Sequence, residues 1–395
     1  MKQTTARLTA PTRSSQTSPA QVLVLLTLTA LLVLSEMYVT IPLLGALGQR
    51  FGVTPTAAAW VGSAFGFAYA AGNLIFGPLS DRMGRLQVIL PGLWALAALT
   101  LLVALSPSFA VLVALRALQG FAAATFPPAA LAYLAETLPP RVRTTGVAVV
   151  SSSFLLSGIL GQIYADPVST ALGWPAVFVV LVPLYVLLAL LLRRLPATPP
   201  AQRLPWGTVF GRMGRLALHP PLVLVYLIAL TLLLSFVAMY SGLSGYLTHT
   251  YGLTSAGLLL VRLAGLPGLL LLPFAGGLIT RWGARAVATL GLTVAALGLL
   301  GEALLPGLTG VVLASAVFVT GIGFTVPAAV TLVNELGGPA RGTATALYGA
   351  VVFLGASLGP LLASALAPHG FGALALTLAG ILVVAALVAQ VRLAE

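Results

Sequence analysis

Gly77-Pro78-Leu79-Ser80-Asp81-Arg82-Met83-Gly84 closes one long apolar run, and Gly276-Gly277-Leu278-Ile279-Thr280-Arg281-Trp282-Gly283 closes another, 199 residues further on. Two more pairs keep that spacing. Phe51-Gly52-Val53-Thr54 matches Tyr251-Gly252-Leu253-Thr254 at an offset of 200, and Pro128 followed by Glu136 matches Pro327 followed by Glu335 at 199. One offset held over three stretches, charges included, points to two halves of like construction in parallel orientation.

The composition leaves no material for a water-covered surface. Of 395 residues, 59% are hydrophobic and 7% charged, against about 25% charged in a soluble domain. Soluble enzymes and nucleic-acid binders are excluded on that ground. The net charge of +12 comes from 19 cations spread thinly among apolar runs, so no nucleic-acid partner is expected. Cysteine is absent, which removes disulfides, thiolate metal sites and cysteine nucleophiles. Three histidines and seven acids are too scattered for a metal site, and no cofactor is expected.

A helix that crosses hydrocarbon needs about 20 apolar residues, and these runs do not alternate as barrel strands would. The sequence predicts an all-α membrane protein with twelve transmembrane helices in two pseudo-repeated six-helix bundles. The helices fall near 21–47, 56–79, 87–105, 109–135, 145–167, 174–192, 221–247, 254–279, 286–305, 309–334, 343–367 and 371–391. Residues 1–20 read as a polar tail, 21–192 as an N-terminal bundle, 193–220 as a basic central loop and 221–392 as a C-terminal bundle. The first apolar run is too long for a signal peptide and has no small-residue cleavage site, so it reads as an uncleaved helix.

The cations orient this arrangement. Lys2, Arg7, Arg13, Arg82, Arg85, Arg141, Arg143, Arg193, Arg194, Arg203, Arg212, Arg215, Arg281, Arg285, Arg341 and Arg392 share one side, and Arg50 stands alone on the other. That bias puts both termini and the central loop in the cytoplasm. One lysine against 18 arginines suggests a GC-rich bacterial genome, and the bacterial inner membrane is the expected address.

At this point a resemblance enters. Gly77-Pro-Leu-Ser-Asp81-Arg82-Met-Gly84-Arg85 resembles the signature between helices 2 and 3 of the major facilitator superfamily. Leu112-Val-Ala-Leu-Arg116-Ala-Leu-Gln119-Gly120 resembles the helix 4 motif of its proton-coupled drug antiporters. The span count and the repeat extend the likeness over residues 21–391. The helix 5 Gly-Pro motif of those antiporters is missing: the place reads Gly158-Ile-Leu-Gly161-Gln162-Ile, and a Gly355-Ala-Ser-Leu-Gly359-Pro360 run occurs in helix 11 instead. Thr280 stands where Asp81 stands in the first half. Glu36 followed by Tyr38 and Pro42 is similar to the sugar-efflux branch. The resemblance implies a substrate site between the halves and a cytoplasmic latch. That latch would use Gly77, Asp81, Arg82, Gly84 and Arg85; Asp81 can pair with the local Arg82 and Arg85 or meet the N-terminus of a neighbouring helix, and Glu136 and Arg141 are further candidate partners.

The residues themselves suggest chemistry. Glu36 reads as the one acid well inside a span, about 21 Å along a helix counted from Val22. A carboxylate in hydrocarbon needs a cavity or a partner. Thr29 and Thr40, at i−7 and i+4, share its helical face, a polar stripe that reads as cavity lining. Glu36 is thus a proton-coupling candidate; a structural hydrogen bond is the plainer alternative. Arg116, about 10 Å in from the external end, lies at a similar depth. It can keep Glu36 ionised, hold an anionic substrate or tune a proton site, with Gln119 one turn on.

Arg262 sits about 11 Å from the external side. Asp166 is its nearest opposite charge if helix 5 packs on helix 8, as the resemblance implies, and the two would then close an external gate. Gly77, Gly158, Gly161, Gly355 and Gly359 sit where helices approach closely, the last two with small-xxx-small spacing. They read as sliding contacts between the halves or as static packing. Tyr133, Tyr226, Tyr240, Tyr246 and Tyr348 are possible cavity residues, none favoured singly. Trp174 and Trp282 read as interface markers, and His219, His249 and His369 as solvated loop residues.

The expected function is secondary transport, with a small organic molecule exported against entering protons by rocking of one bundle on the other. The partners are that substrate, protons and the lipid bilayer, and the expected state is a monomer. Sugar or sugar-alcohol efflux, an uncoupled facilitator, and a membrane sensor or scaffold are the alternatives. No Gly-Lys-Ser/Thr phosphate loop supports an ATP-driven pump, and no intramembrane catalytic cluster supports an enzyme.

Overall fold

The computed structural model describes residues 18–198, 205–264 and 272–391. Lys2, Arg7, Arg13, Arg203 and Arg392 lie outside the described residues. The described chain is helical, with no strand among its residues. The first part contains α1 (Pro19–Tyr38), α2 (Leu44–Phe51), α3 (Pro55–Met83), α4 (Arg85–Ala104), α5 (Phe109–Ala123) and α6 (Pro127–Thr137). It continues with α7 (Pro140–Leu172), α8 (Trp174–Val179) and α9 (Leu181–Leu192), and α10 (Trp206–Ala217) follows in the central stretch. Then come α11 (Pro220–Tyr251), α12 (Ser255–Leu263), α13 (Leu272–Trp282), α14 (Ala284–Leu304), α15 (Gly307–Gly337), α16 (Arg341–Leu366) and α17 (Gly370–Val391).

Nine stretches of described residues are long and apolar enough to cross a membrane, and one of them, residues 341–391, holds both α16 and α17. The 33-residue α7 is outside those nine. Large apolar side chains face outward along the helices, among them Leu118 and Leu227 at 55% exposure and Val384 at 60%. A water-soluble monomer does not tolerate so continuous an apolar exterior; hydrocarbon does.

Local chemistry sets the helix ends. Ser18 and Gln21 form a reciprocal capping box before Pro19, and Thr54 and Ser108 cap α3 and α5 through their hydroxyls. Breaks occur where proline interrupts. The first apolar run was expected to continue to residue 47, but α1 stops at Tyr38 and residues 39–43 form turns around Pro42. The fourth run likewise divides, with Pro127 and Pro128 opening α6.

Helices up to α9 pack mainly on one another: α1 on α7, α3 on α5, and α4 on α5 and α9. From α11 on, the main pairs are α14–α15, α14–α17, α11–α16 and α11–α17. The two groups meet along α3–α16 and α7–α12. The backbone repeats the sequence offset. Gly52 and Gly252 close α2 and α11 at φ of 64° and 63°, and Gly84 and Gly283 sit between consecutive helices at 104° and 83°. These positive φ values favour glycine, so the repeated glycines are required by the turns.

The seam runs antiparallel. Thr56 meets Ser364 through a 2.9 Å hydrogen bond, a Cβ at Gly62 would contact Pro360, and the Tyr69 and Phe353 rings lie 4.2 Å apart. We call the end holding Thr56 and Ser364 the distal face and the end holding the α3–α4 turn the basic face. Residues 33–40, at the distal end of α1 and in the turn after it, are all buried, whereas Val24 and Leu28, toward the basic face, are 55% and 47% exposed. The distal seam is therefore shut. A crevice of about 10 Å³, lined by Met37, Thr40, Gly62, Val237 and Pro360 among others, has room for about one water.

Candidate functional site

Within the first group, a closed ring of hydrogen bonds joins four side chains. Arg116 Nη1 donates to Gln119 Oε1 at 2.6 Å, and Gln119 Nε2 donates to Thr100 Oγ1 at 2.7 Å. Thr100 donates to Glu36 Oε1 at 3.2 Å, and Arg116 Nη1 reaches Glu36 Oε2 at 3.3 Å. Arg116 Nη2 also donates to the Glu36 backbone carbonyl at 2.7 Å, and Nε to that of Val61 at 3.2 Å. The guanidinium lies 4.4 Å from the Phe65 ring centroid, a distance at which ring and cation attract. Glu36, Thr100, Arg116 and Gln119 have no exposed surface. Such burial is tolerable because each charge meets the other and the remaining lone pairs and protons are spent.

The Tyr185 hydroxyl completes the surroundings of Glu36. It lies 3.1 Å from Glu36 Oε1 and 2.9 Å from the Leu32 carbonyl oxygen. Its one proton can go to either oxygen. When it goes to Leu32, the phenol oxygen is free to accept a proton from Oε1.

This arrangement brings Glu36, Arg116 and Gln119 together as the sequence expected, but corrects their place. They lie among α1, α4, α5 and α9, inside the first group, and do not line the seam. Thr29 is fully buried and donates to its own helix at Leu25. Thr40 lines the distal crevice, but from the turn after α1, so it shares no helical face with Glu36. On α1 the seam is reached by Tyr38 instead, whose ring meets Phe236 of α11 at 6.3 Å.

Asp166 and Arg262 are paired across the groups at 2.6 Å, and Arg262 Nη2 donates to Ser244 of α11 at 3.2 Å. Both residues are buried. Near the basic face, Arg85 gathers Glu136 at 2.7 Å, Ser80 at 2.8 Å and Asp81, tying α3, α4 and α6. Asp81 pairs with a local arginine, Arg85; Glu136 joins through Arg85, and Arg141, the other candidate, is exposed at the start of α7. Arg82 lies beside Asp81 at the end of α3. Gly84 caps α3, and the Arg85 amide donates to Thr198 of the central stretch.

Of the five glycines that read as sliding contacts or as static packing, Gly158 alone meets the other group, at Phe236. Gly77 faces Pro128, Gly161 the Ser35 backbone, Gly355 the Leu230 carbonyl and Gly359 the α11 backbone near Ala238, each within its own group. The small residue that the seam does require is Gly66, where a Cβ would overlap the Ser357 hydroxyl and Met37. His219, His249 and His369 are exposed, and Trp282 is half-exposed.

A second buried acid stands near the end of its helix. Glu302 on α14 is 3% exposed, accepts from Ser315 at 2.6 Å through Oε1, and its Oε2 has no partner. The signal was in the sequence, an acid inside the apolar run 286–305. Thr100, Tyr185 and Ser244 were legible only as polar residues in apolar helices; nothing in their spacing assigned them partners.

These observations define an α-helical integral membrane protein with buried ion pairs inside its first helix group and across its seam. The family model of the Major Facilitator Superfamily matches residues 26–336 and 246–394, and the chain belongs to that superfamily of transporters. It is 34% identical over 138 residues to the uncharacterized MFS-type transporter YybF of Bacillus subtilis, covering 35% of this chain and 34% of that one. Over 199 residues it is 31% identical to the cephamycin export protein CmcT of Amycolatopsis lactamdurans, covering 50% of this chain and 40% of that one. The matched stretches therefore span well under half of either relative. In fold it is similar to a bacterial homologue of the human lysosomal transporter Spinster in an inward-facing and occupied conformation. The TM-score is 0.74 at 17% identity, covering 94% of this chain and 97% of that one.

Proposed function

We propose that this chain is a proton-coupled exporter of a small organic molecule, and that Glu36 is its proton-carrying group. The observation that carries the reading is the ring around Glu36. Arg116 keeps its two shortest bonds, to Gln119 and to the Glu36 carbonyl, whether or not the carboxyl is charged. Its contact with the carboxylate is the long one. A proton arriving on Oε1 finds the Tyr185 oxygen as acceptor once that hydroxyl turns to Leu32. Both protonation states thus have partners, which a merely structural pair does not need.

Residues 35–38 link this chemistry to the seam. Ser35 donates to the Ser157 carbonyl at 3.4 Å, Glu36 points into the first group, and Tyr38 meets Phe236. A change in charge at Glu36 therefore acts on the helix that carries part of the distal closure. A ligand shifts a two-state balance only by its differential affinity; here the proton is that ligand.

In this reading there are twelve spans, divided as 21–192 and 221–392, and the basic face is cytoplasmic. The protein then works as a monomer in a bacterial inner membrane, here closed to the outside by Asp166–Arg262. The cluster of Arg85, Asp81 and Glu136 is the cytoplasmic latch in its disengaged form. The similarity to a cephamycin export protein favours export of an organic compound. One proton crossing 100 mV supplies about 2.3 kcal/mol, which sustains roughly a forty-fold gradient.

The test is transport into proteoliposomes under an imposed pH gradient. Glu36→Gln keeps the shape and the Thr100 contact but cannot exchange a proton. Its transport is expected to lose pH dependence, and a pH profile matching the wild type removes Glu36 from the coupling. Transport that ignores collapse of the gradient identifies a facilitator.

A further inference from the structure

A recess of about 410 Å³ lies on the outside of the second group, between the first half of α11 and the last half of α17. Leu224, Leu227 and Ile228 form one wall, and Ile381, Val384 and Val388 the other. Leu227 and Val384 are more than half exposed, so the recess opens sideways to hydrocarbon. Thr231, at its inner end, donates to the Ile228 carbonyl at 2.7 Å, and its proton is thus spent within its own helix. Gly380 leaves the space open, since a Cβ there would meet nothing within 4 Å.

Size and direction narrow what fills it. From Leu224 to Thr231, and from Gly380 to Val388, is about 10–12 Å of helix. Spread over that length, the volume leaves a channel roughly 6 Å wide, whereas a helix with its side chains is about 10–12 Å across. A helix of a second copy or of another protein is too wide; an extended acyl chain is not. The α11 helix starts and α17 ends at the basic face, so the recess runs from near that face inward. Half of a hydrocarbon core is about 15 Å, and the recess therefore follows the path of an acyl chain in the leaflet on that side.

The same end of α11 carries unspent positive charge. The α10 helix leads into α11 through Leu218 and His219 alone. Its Val209, Met213 and Leu216, at helical spacing, join the core, and α10 packs on α11 and α16. Arg212 and Arg215, one turn apart, are exposed, and neither has a partner acid among the described residues. Gly211 and Gly214 beside them face open space, so nothing crowds the two guanidinium groups. The whole stretch 193–219 holds five arginines and no acid. A helix with an apolar inner face and a cationic outer one lies at a membrane surface, and cations there attract anionic lipid.

We propose that α10 and the recess form one binding site for an anionic phospholipid, with its phosphate on Arg212 and Arg215 and one acyl chain between α11 and α17. The site is separate from the ring around Glu36 and does not depend on the transport mechanism. It bears on the seam all the same, because the helix that the acyl chain would brace, α11, carries Phe236 against Tyr38.

The purified full chain is placed in phosphatidylcholine nanodiscs with a trace of phosphatidylglycerol or phosphatidylcholine that carries a photoactivatable diazirine on an acyl chain. After illumination, adducts are mapped by mass spectrometry. The glycerol probe is expected to label residues 224–231 and 380–388 at least about fivefold more than the choline probe. Arg212→Gln together with Arg215→Gln is expected to bring the two probes level there. Gly380→Leu is expected to lower the label from both probes severalfold, and Val384→Phe, which fills the same space from the rim, does so if Gly380→Leu fails to fold. Equal labelling by the two probes in the unchanged chain overturns the headgroup site, and label that neither filling variant lowers overturns the acyl site. Excess glycerol phosphate is expected to leave the label in place; displacement would mean that the arginines hold a free phosphate without the recess. A dimer in detergent that Gly380→Leu dissolves would assign the recess to a second copy and overturn the lipid.

Discussion

Arg116 and Ser315 stand 199 residues apart, at matching places in the repeat, and each faces a buried acid. In the first group the acid is Glu36, and Arg116, Gln119, Thr100 and Tyr185 bring polar atoms to it, with the Phe65 and Phe178 rings beside the guanidinium. In the second group, the places of Glu36 and Gln119 are taken by Phe236 and Phe318, whose rings stack at 6.5 Å. The place of Thr100 is taken by Leu299, fully buried. The acid there is Glu302, with one hydroxyl for a partner. One backbone plan therefore carries a compensated ion pair in one half and an aromatic core with a single buried acid in the other. The buried acid is thus compensated by a cation in the first group, while the matching place in the second is aromatic and aliphatic.

The comparison breaks most visibly at Arg116. Arg116→Met leaves Glu36 buried with two hydroxyls and no cation. Removing one partner of a buried pair costs about 3–5 kcal/mol, so the folded yield and the unfolding temperature in detergent are expected to fall sharply. Adding Glu36→Gln to the same chain removes the stranded charge and is expected to recover much of the loss. If the double variant is no better than Arg116→Met alone, the ring is held by packing rather than by the pair.

Most of the fold was legible because hydrocarbon permits little else. Long apolar runs with few charges must become helices, and the repeated Gly84 and Gly283 mark the same turn twice. The helix breaks were less legible, since Pro42 ends α1 while Pro78 is carried inside α3; the difference lies in neighbouring helices, not in local sequence. For the site, motif resemblance brought Arg116 and Gln119 to notice, and depth matched Arg116 to Glu36. Depth alone does not say which way a side chain points. That is why depth suggests the seam for Glu36 although it faces inward, and why spacing alone leaves Gly355 and Gly359 open between sliding contact and the static packing on α11 that the structure shows. Gly66 went unread because its need for a missing side chain comes from Ser357, nearly 300 residues away.

A smaller effect is expected at Asp166–Arg262, the one buried ion pair that joins the two groups among the described residues. Asp166→Asn leaves Arg262 with the Ser244 hydroxyl and weakens a charge-assisted bond, worth about 1.5–3 kcal/mol. The fold should survive, since neither group loses an internal contact, but distal closure should be less populated. The chain has no cysteine, so Thr56→Cys with Ser364→Cys gives a clean reporter at a native 2.9 Å contact. Disulfide formation between them is expected to slow several-fold with Asp166→Asn, and Arg262→Gln added to it should slow it little further. An unchanged rate would mean that α3–α16 packing alone shuts the seam.

The smallest effect sharpens the comparison from the other side. Glu302→Gln removes an acid as buried as Glu36, yet no cation loses a partner. The amide oxygen can still accept from Ser315, and the amide nitrogen takes the place of the unpartnered Oε2 at nearly the same volume. A change in stability of about 1 kcal/mol or less follows, read as the unfolding temperature measured beside that of Arg116→Met. Because the surrounding rings and aliphatic chains offer no counter-charge, the carboxyl contributes to the second group chiefly as a shape with one acceptor. A loss as large as that of Arg116→Met would show a cation reaching Glu302 in some populated state. Arg262 is the candidate, because it and Glu302 both act electrostatically on Tyr240, and the second group would then handle charge as the first does.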